Sequence, residues 1–110
     1  MKKLNIIKKE QEINDIINTD KRLYNRYYYI YNKENNNNKY YRFCICVSKK
    51  LGNAVIRNKN KRQVKDIIDK SNLTFKSNQD YVIILRKDIN LLNFDQKRDE
   101  LLSLLKQLGE

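Results

Sequence analysis

The sequence contains no histidine, no proline and no tryptophan, and only two glycines and two cysteines in 110 residues. Without histidine, the chain lacks the side chain most often used to move protons near neutral pH and the commonest nitrogen ligand of zinc. Two cysteines alone cannot complete a four-ligand zinc site, and they are too few for the disulfide framework of a small secreted domain. Long apolar runs are missing as well. Tyr81-Val82-Ile83-Ile84-Leu85 is about as long as they become, far below the roughly 20 residues that span a bilayer. The basic opening Met1-Lys2-Lys3-Leu4 is followed by Lys8, Lys9, Glu10 and Glu12, so no export segment develops; the expected location is the cytoplasm, with no membrane partner.

What is present is positive charge. Lysine and arginine number 24 against 13 aspartate and glutamate, a formal net charge of +11, and the natural partner of such a chain is a polyanion. The acidic residues are scattered among lysines, with no tight cluster. Neither a general base nor a carboxylate metal site for protein-only hydrolysis is apparent. The abundance of Asn, Lys, Ile and Tyr, all encoded by A/T-rich codons, reads as genome bias, and Asn35-Asn36-Asn37-Asn38 as a tolerated polar loop. Cys44 and Cys46 read as small packing side chains in a reducing compartment, with no metal role.

Length and patterning predict one domain over residues 1–110. Ile6, Ile13, Ile16 and Ile17 fall on a narrow helical arc, predicting a first helix from about Lys8 to Asn18. Tyr24 to Tyr31 suits a strand, Asn32 to Lys39 a loop, and the strict alternation of Tyr40 to Ser48 a second strand with two unlike faces. Gly52-Asn53 supplies a break and an N-cap for a helix from Ala54 to about Lys70. Tyr81 to Arg86 is a short apolar run of the buried-strand type. Asn93 and Gln96 resemble a capping box before a last helix, Asp95 to Leu108, whose leucines recur at helical spacing up to Gly109. The expected fold is α+β: a small sheet sandwiched with three helices in the order α-β-β(-β)-α-β-α.

The helix from Ala54 carries the chemistry. Arg57, Asn58, Lys61, Arg62 and Lys65 span about 140° of a helical wheel, with Ile56, Val64, Ile67 and Ile68 assigned to a buried arc. A comb of cations on one helix can meet successive phosphates, each contact releasing counterions, while arginine adds bidentate geometry and Asn58 can bond base edges or sugars.

The stretch Ser48-Lys49-Lys50-Leu51-Gly52-Asn53-Ala54-Val55-Ile56-Arg57-Asn58-Lys59-Asn60-Lys61-Arg62 closely resembles the signature of the bacterial ribonuclease P protein family, approximately S-K-K-x-G-x-A-V-x-R-N-x-x-K-R. In the family an arginine ends the "RNR" core; here Lys59 keeps the charge and loses the guanidinium fork. Asn25-Arg26 followed by Tyr28 to Tyr31 is similar to the family's first strand, and Asp80 to Lys87 to its last. Cys44 and Cys46 fall where the family commonly has Gly or Ser.

The resemblance implies an α/β sandwich with a left-handed β-α-β crossover, which general handedness rules disfavour. It further implies a protein subunit that binds the catalytic RNA through Lys49, Lys50, Arg57, Asn58, Lys61, Arg62 and Lys65. A cleft between the first helix and the sheet would hold the 5′ leader of precursor tRNA, with Tyr31 at an aromatic position, Arg26 beside it, and Ile13 and Ile17 where many members carry Phe. Tyr29 and Tyr41 are further ring candidates. The implied activity is tRNA 5′ maturation, with catalytic groups and Mg²⁺ in the RNA subunit and no protein partner. The alternative from composition is a non-catalytic RNA-binding protein associated with rRNA or ribosomes; a sequence-specific DNA binder lacks any clear helix-turn-helix pair.

Overall fold

The structure, a computed structural model, describes residues 1–19 and 21–108. Helix α1 spans Glu10–Ile17, strand β1 Arg22–Tyr24, β2 Tyr28–Glu34, β3 Arg42–Cys46, helix α2 Ala54–Lys70, β4 Gln79–Leu85 and α3 Phe94–Leu108, with short 3-10 turns at Lys3–Asn5, Lys49–Leu51 and Lys87–Leu91. The strands form one mixed sheet in the order β1-β2-β4-β3. β1 and β2 form an antiparallel hairpin, β2 and β4 are antiparallel, and β3 and β4 are parallel neighbours joined through α2, the β-α-β unit that the resemblance implies.

The α2 boundaries match the sequence reading, and the first of them is locally encoded. The Asn53 side chain accepts the Ile56 N–H at 3.0 Å. Gly52 precedes it at φ 146°, a conformation that L side chains rarely adopt, and a Cβ there would lie 2.9 Å from Ile56 Cδ1. The Asn93–Gln96 capping box is reciprocal, with each side chain accepting the other's backbone N–H, at 3.0 and 2.9 Å. The expected stop at Gly109 lies outside the described residues.

Three readings need correction. Tyr24 to Tyr31 is not one strand but the β1-β2 hairpin. Asn25 Oδ1 accepts from the Tyr27 and Tyr28 amides, and the local side-chain bonding turns the chain. β2 then runs on through Asn32 to Glu34, where a loop was expected, because β4 pairs with it as far as Gln79. The asparagine run is more than filler: Asn35 and Asn38 both donate to Asp80, at 3.3 and 2.6 Å.

Strand alternation gives the sheet two unlike faces. On one, Tyr28, Ile30, Phe43, Ile45, Tyr81, Ile83 and Leu85 pack beneath Val64, Ile67 and Ile68 of α2 and Leu101, Leu104 and Leu105 of α3. Burying such side chains stabilises by about 1.5 to 3 kcal/mol each. Tyr41 packs on this side against Phe43 and Phe75, so it is no cleft ring. On the other face, Ile7 and Ile16 cover Tyr31 and Val82, with Ile13 and Ile17 of α1 partly buried beside them. Ile6 is outside α1, in an isolated bridge to Phe43.

Candidate nucleic-acid interface

α1 leaves part of its face of the sheet uncovered. Strand pairing aligns this face in rows: Arg22, Tyr31, Val82 and Cys44 in one, and Tyr24, Tyr29, Ile84 and Cys46 in the next. In the second row, Tyr29, Ile84 and Cys46 are half-buried and Tyr24 is exposed, which makes a shallow apolar floor. Cations flank it. The Arg86 and Arg22 guanidinium carbons stand 4.6 and 4.8 Å from the Tyr29 ring centroid, and Arg22 also lies 5.5 Å from that of Tyr24. Arg86 is held in place by its bond to the Asn25 carbonyl at 2.8 Å.

The expected leader residues are distributed unevenly. Tyr31 is buried beneath α1 at 6% exposure, and its hydroxyl accepts from Arg22 at 3.2 Å. It therefore offers an anchored hydroxyl rather than an open stacking face, and the half-buried ring on this face is Tyr29. Ile13 and Ile17 line the α1 wall. Arg26 sits at the hairpin tip, away from the wall, where it pairs with Asp88 at 2.8 Å and leans over Tyr27.

The basic residues of α2 are brought together. Asn58, Lys61, Arg62 and Lys65 line one shallow groove with Val55. Among the described residues, Lys49, Lys50, Arg57, Lys61, Arg62 and Lys65 make no ion pair, whereas Arg26, Arg42, Lys70 and Arg98 do. Arg57 Nε is buried with no hydrogen-bond partner. Leaving such a donor unpaired costs about 1 to 3 kcal/mol.

The two-arc picture of α2 holds for Val64, Ile67 and Ile68 but needs correction at Ile56, which is 39% exposed in the first turn. Asn60, within the signature, is buried and points inward instead. Its Oδ1 accepts from Lys97 Nζ at 3.1 Å, and Gln63 takes a second bond at 3.0 Å. Burial, with Lys59 nearby, lowers the Lys97 pKa. Lys61 joins comb to cleft. α2 packs against the edge strand β3, and the Lys61 charge acts on both Cys44 and Cys46.

At the far end of the cleft, Arg42 pairs with Asp80 at 2.7 Å and with Glu12 of α1 at 2.6 Å, tying the helix to the sheet. Burial opposes ionisation of Asp80, yet bonds from Arg42, Asn38 and Asn35 outweigh it and hold the carboxyl below its ordinary range. Arg42 is raised in turn, chiefly by Asp80.

The Ribonuclease P family model matches residues 1–109. The chain belongs to the ribonuclease P protein family. It is 37% identical over 109 residues to the ribonuclease P protein component of Mycoplasma mycoides, covering 98% of this chain and 99% of that one. With the Bacillus pumilus component it shares 33% over 107 residues, 97% and 90% of the two chains. Among solved structures, the RNase P protein of Staphylococcus aureus superposes with a TM-score of 0.86 at 30% identity, over 94% of each chain. That of Thermotoga maritima gives 0.79 at 30% identity, over 92% of this chain and 94% of the other.

The family supplies the role, a protein component of ribonuclease P whose implied partner is the ribonuclease P RNA. No helix among the described residues is long and apolar enough to cross a membrane. Arg22 and Arg86 are the functional candidates that sequence reasoning missed. Their signal is pairwise: Arg22 aligns with Tyr31 only once the β1-β2 hairpin is known.

Proposed function

We propose that this chain docks onto the catalytic RNA through the α2 comb and guides the 5′ leader of precursor tRNA along the cleft beneath α1, promoting endonucleolytic 5′ maturation. The observation that carries the reading is the set of unpaired cations on α2, with Arg57 Nε orphaned, beside an apolar floor edged by Arg22 and Arg86. Lys49, Lys50, Arg57, Asn58, Lys61, Arg62 and Lys65 serve the catalytic RNA. Tyr29, Arg22 and Arg86 serve the leader, with Ile13 and Ile17 as wall and Tyr31 as an anchored support.

Catalytic groups and Mg²⁺ belong to the RNA in this reading. What the protein supplies is charge. A +11 surface between two polyanions lowers their repulsion, so less free Mg²⁺ is needed for them to associate.

The test is precursor tRNA cleavage by a bacterial ribonuclease P RNA at low Mg²⁺, with and without this protein, beside a protein-only control. Strong stimulation with no cleavage by the protein alone supports the reading. Tight RNA binding without stimulation of its cognate RNA rejects it, and cleavage by the protein alone places the catalytic groups in the wrong molecule.

A further inference from the structure

Cys44 and Cys46 stand two apart on β3, so both side chains leave the sheet on the cleft face. Their Sγ atoms are 3.6 Å apart, and both thiols are free and half-buried. Alternate Cα atoms of an extended strand stand about 6.6 to 6.8 Å apart. Disulfides bridge about 4.4 to 6.8 Å, so a bond here sits at the limit and belongs to the strained, easily reduced kind. β3 can yield to it, being the edge strand, with only the Ile6–Phe43 bridge on its outer side among the described residues.

We propose that Cys44 and Cys46 form a hydroperoxide-sensitive two-cysteine redox site on the floor of the cleft. Cys46 is the attacking sulfur. Its hydrogen bond with Cys44, which either sulfur can donate, and the field of the Lys61 ammonium together hold it below an ordinary thiol against the opposing effect of burial. The same hydrogen bond, together with burial, pushes Cys44 up, which makes Cys44 the resolving sulfur. In the first step the Cys46 thiolate attacks one peroxide oxygen and the O–O bond breaks. The released hydroxide takes a proton to leave as water, and Cys46 becomes a sulfenic acid. In the second, Cys44 loses its proton and attacks Cys46 Sγ, expelling hydroxide that leaves as a second water. One hydrogen peroxide and two thiols thus yield one disulfide and two waters (an organic hydroperoxide would release an alcohol in place of the first water), and a dithiol reductant reverses the bond.

The site rests on the placement of the two thiols and of Lys61 rather than on RNA binding, and its test uses the full chain without RNA, so it is judged separately from the function proposed above. After brief hydrogen peroxide treatment, mass spectrometry should find an intact monomer lighter by two hydrogens, with both thiols lost to a thiol reagent and regained with dithiothreitol. Cys44→Ser should stop at a sulfenic acid on Cys46 trapped by dimedone, whereas Cys46→Ser should leave Cys44 unmodified at the same exposure. Two thiols that stay free in the native chain, or that oxidise only between molecules, would overturn the proposal, as would equal reactivity of the two single variants.

Discussion

The Arg42 guanidinium meets both carboxylate oxygens of Asp80, Nε at 2.9 Å and Nη2 at 2.7 Å, directly across the parallel pair of β3 and β4. Two-point contact fixes the register of the strand pair that brackets α2, and the bond from Arg42 to Glu12 carries that register to α1. The pair therefore ties α1 to the sheet beside the cleft.

Removing Asp80 should show this. Asp80→Ala leaves Arg42 partly buried with Glu12 alone and should cost about 3 kcal/mol in urea unfolding, the lower end for a broken buried pair because one partner remains. Asp80 titrates below its ordinary 3.8, so the unfolded state binds more protons in that range. The pair's stabilisation is therefore present above that value and lost as pH falls through the lower folded value. The gap in unfolding midpoint between the wild type and Asp80→Asn should accordingly be constant near neutrality and close below about pH 4. A gap that does not change with pH would mean that Asp80 is not the titrating partner.

Arg57 separates affinity from stability. Its Nε is buried without a partner, so Arg57→Met, which keeps the aliphatic stem and removes the orphan donor, should leave stability unchanged or raise it. The same variant should bind ribonuclease P RNA more weakly, with the slope of log affinity against log salt reduced by about one. An unchanged slope removes Arg57 from the docking face; parallel measurements on Arg62→Ala test the exposed end of the comb.

How much of this was legible in the sequence depended on whether the signal was local. The start of α2 could be placed because Gly52 and Asn53 mark it and a 3.6-residue period follows, and the Asn93–Gln96 box announced α3 in the same way. The β1-β2 hairpin was hidden because its turn is made by Asn25 side-chain bonds amid tyrosines that all favour strands. The comb was legible as a spacing, but which of its members face the cleft depends on how α2 lies along β3, and no wheel contains that. Tyr31 was the natural ring to choose from the resemblance, yet strand parity and α1 together bury it and leave Tyr29 beside the cations.

That difference can be tested with two tyrosines. Tyr29→Leu keeps bulk and removes the ring that Arg22 and Arg86 overlie, and it should weaken binding of leader-bearing precursor tRNA by about 1 to 3 kcal/mol relative to leaderless tRNA. Tyr31→Phe removes only the hydroxyl held by Arg22 and should leave that difference near its wild-type value. Equal losses for both RNAs in Tyr29→Leu would take the ring out of the leader path.

The unpaired comb also predicts how the free protein responds to small anions. The six comb cations, which make no ion pair among the described residues, repel one another in a chain of net charge +11, so a multivalent anion that binds only the folded comb stabilises it, by about 2.7 kcal/mol at 100 times its dissociation constant. Sulfate should therefore raise the thermal midpoint well beyond chloride at equal ionic strength. Sulfate also strengthens apolar burial in any protein, so the decisive comparison is with a variant carrying Arg57→Gln, Lys61→Gln and Arg62→Gln together. This variant should keep the general salting effect and lose the saturable part. If its midpoint follows sulfate as the wild type does, the anion acts on the whole surface, and the comb is not a preformed phosphate site.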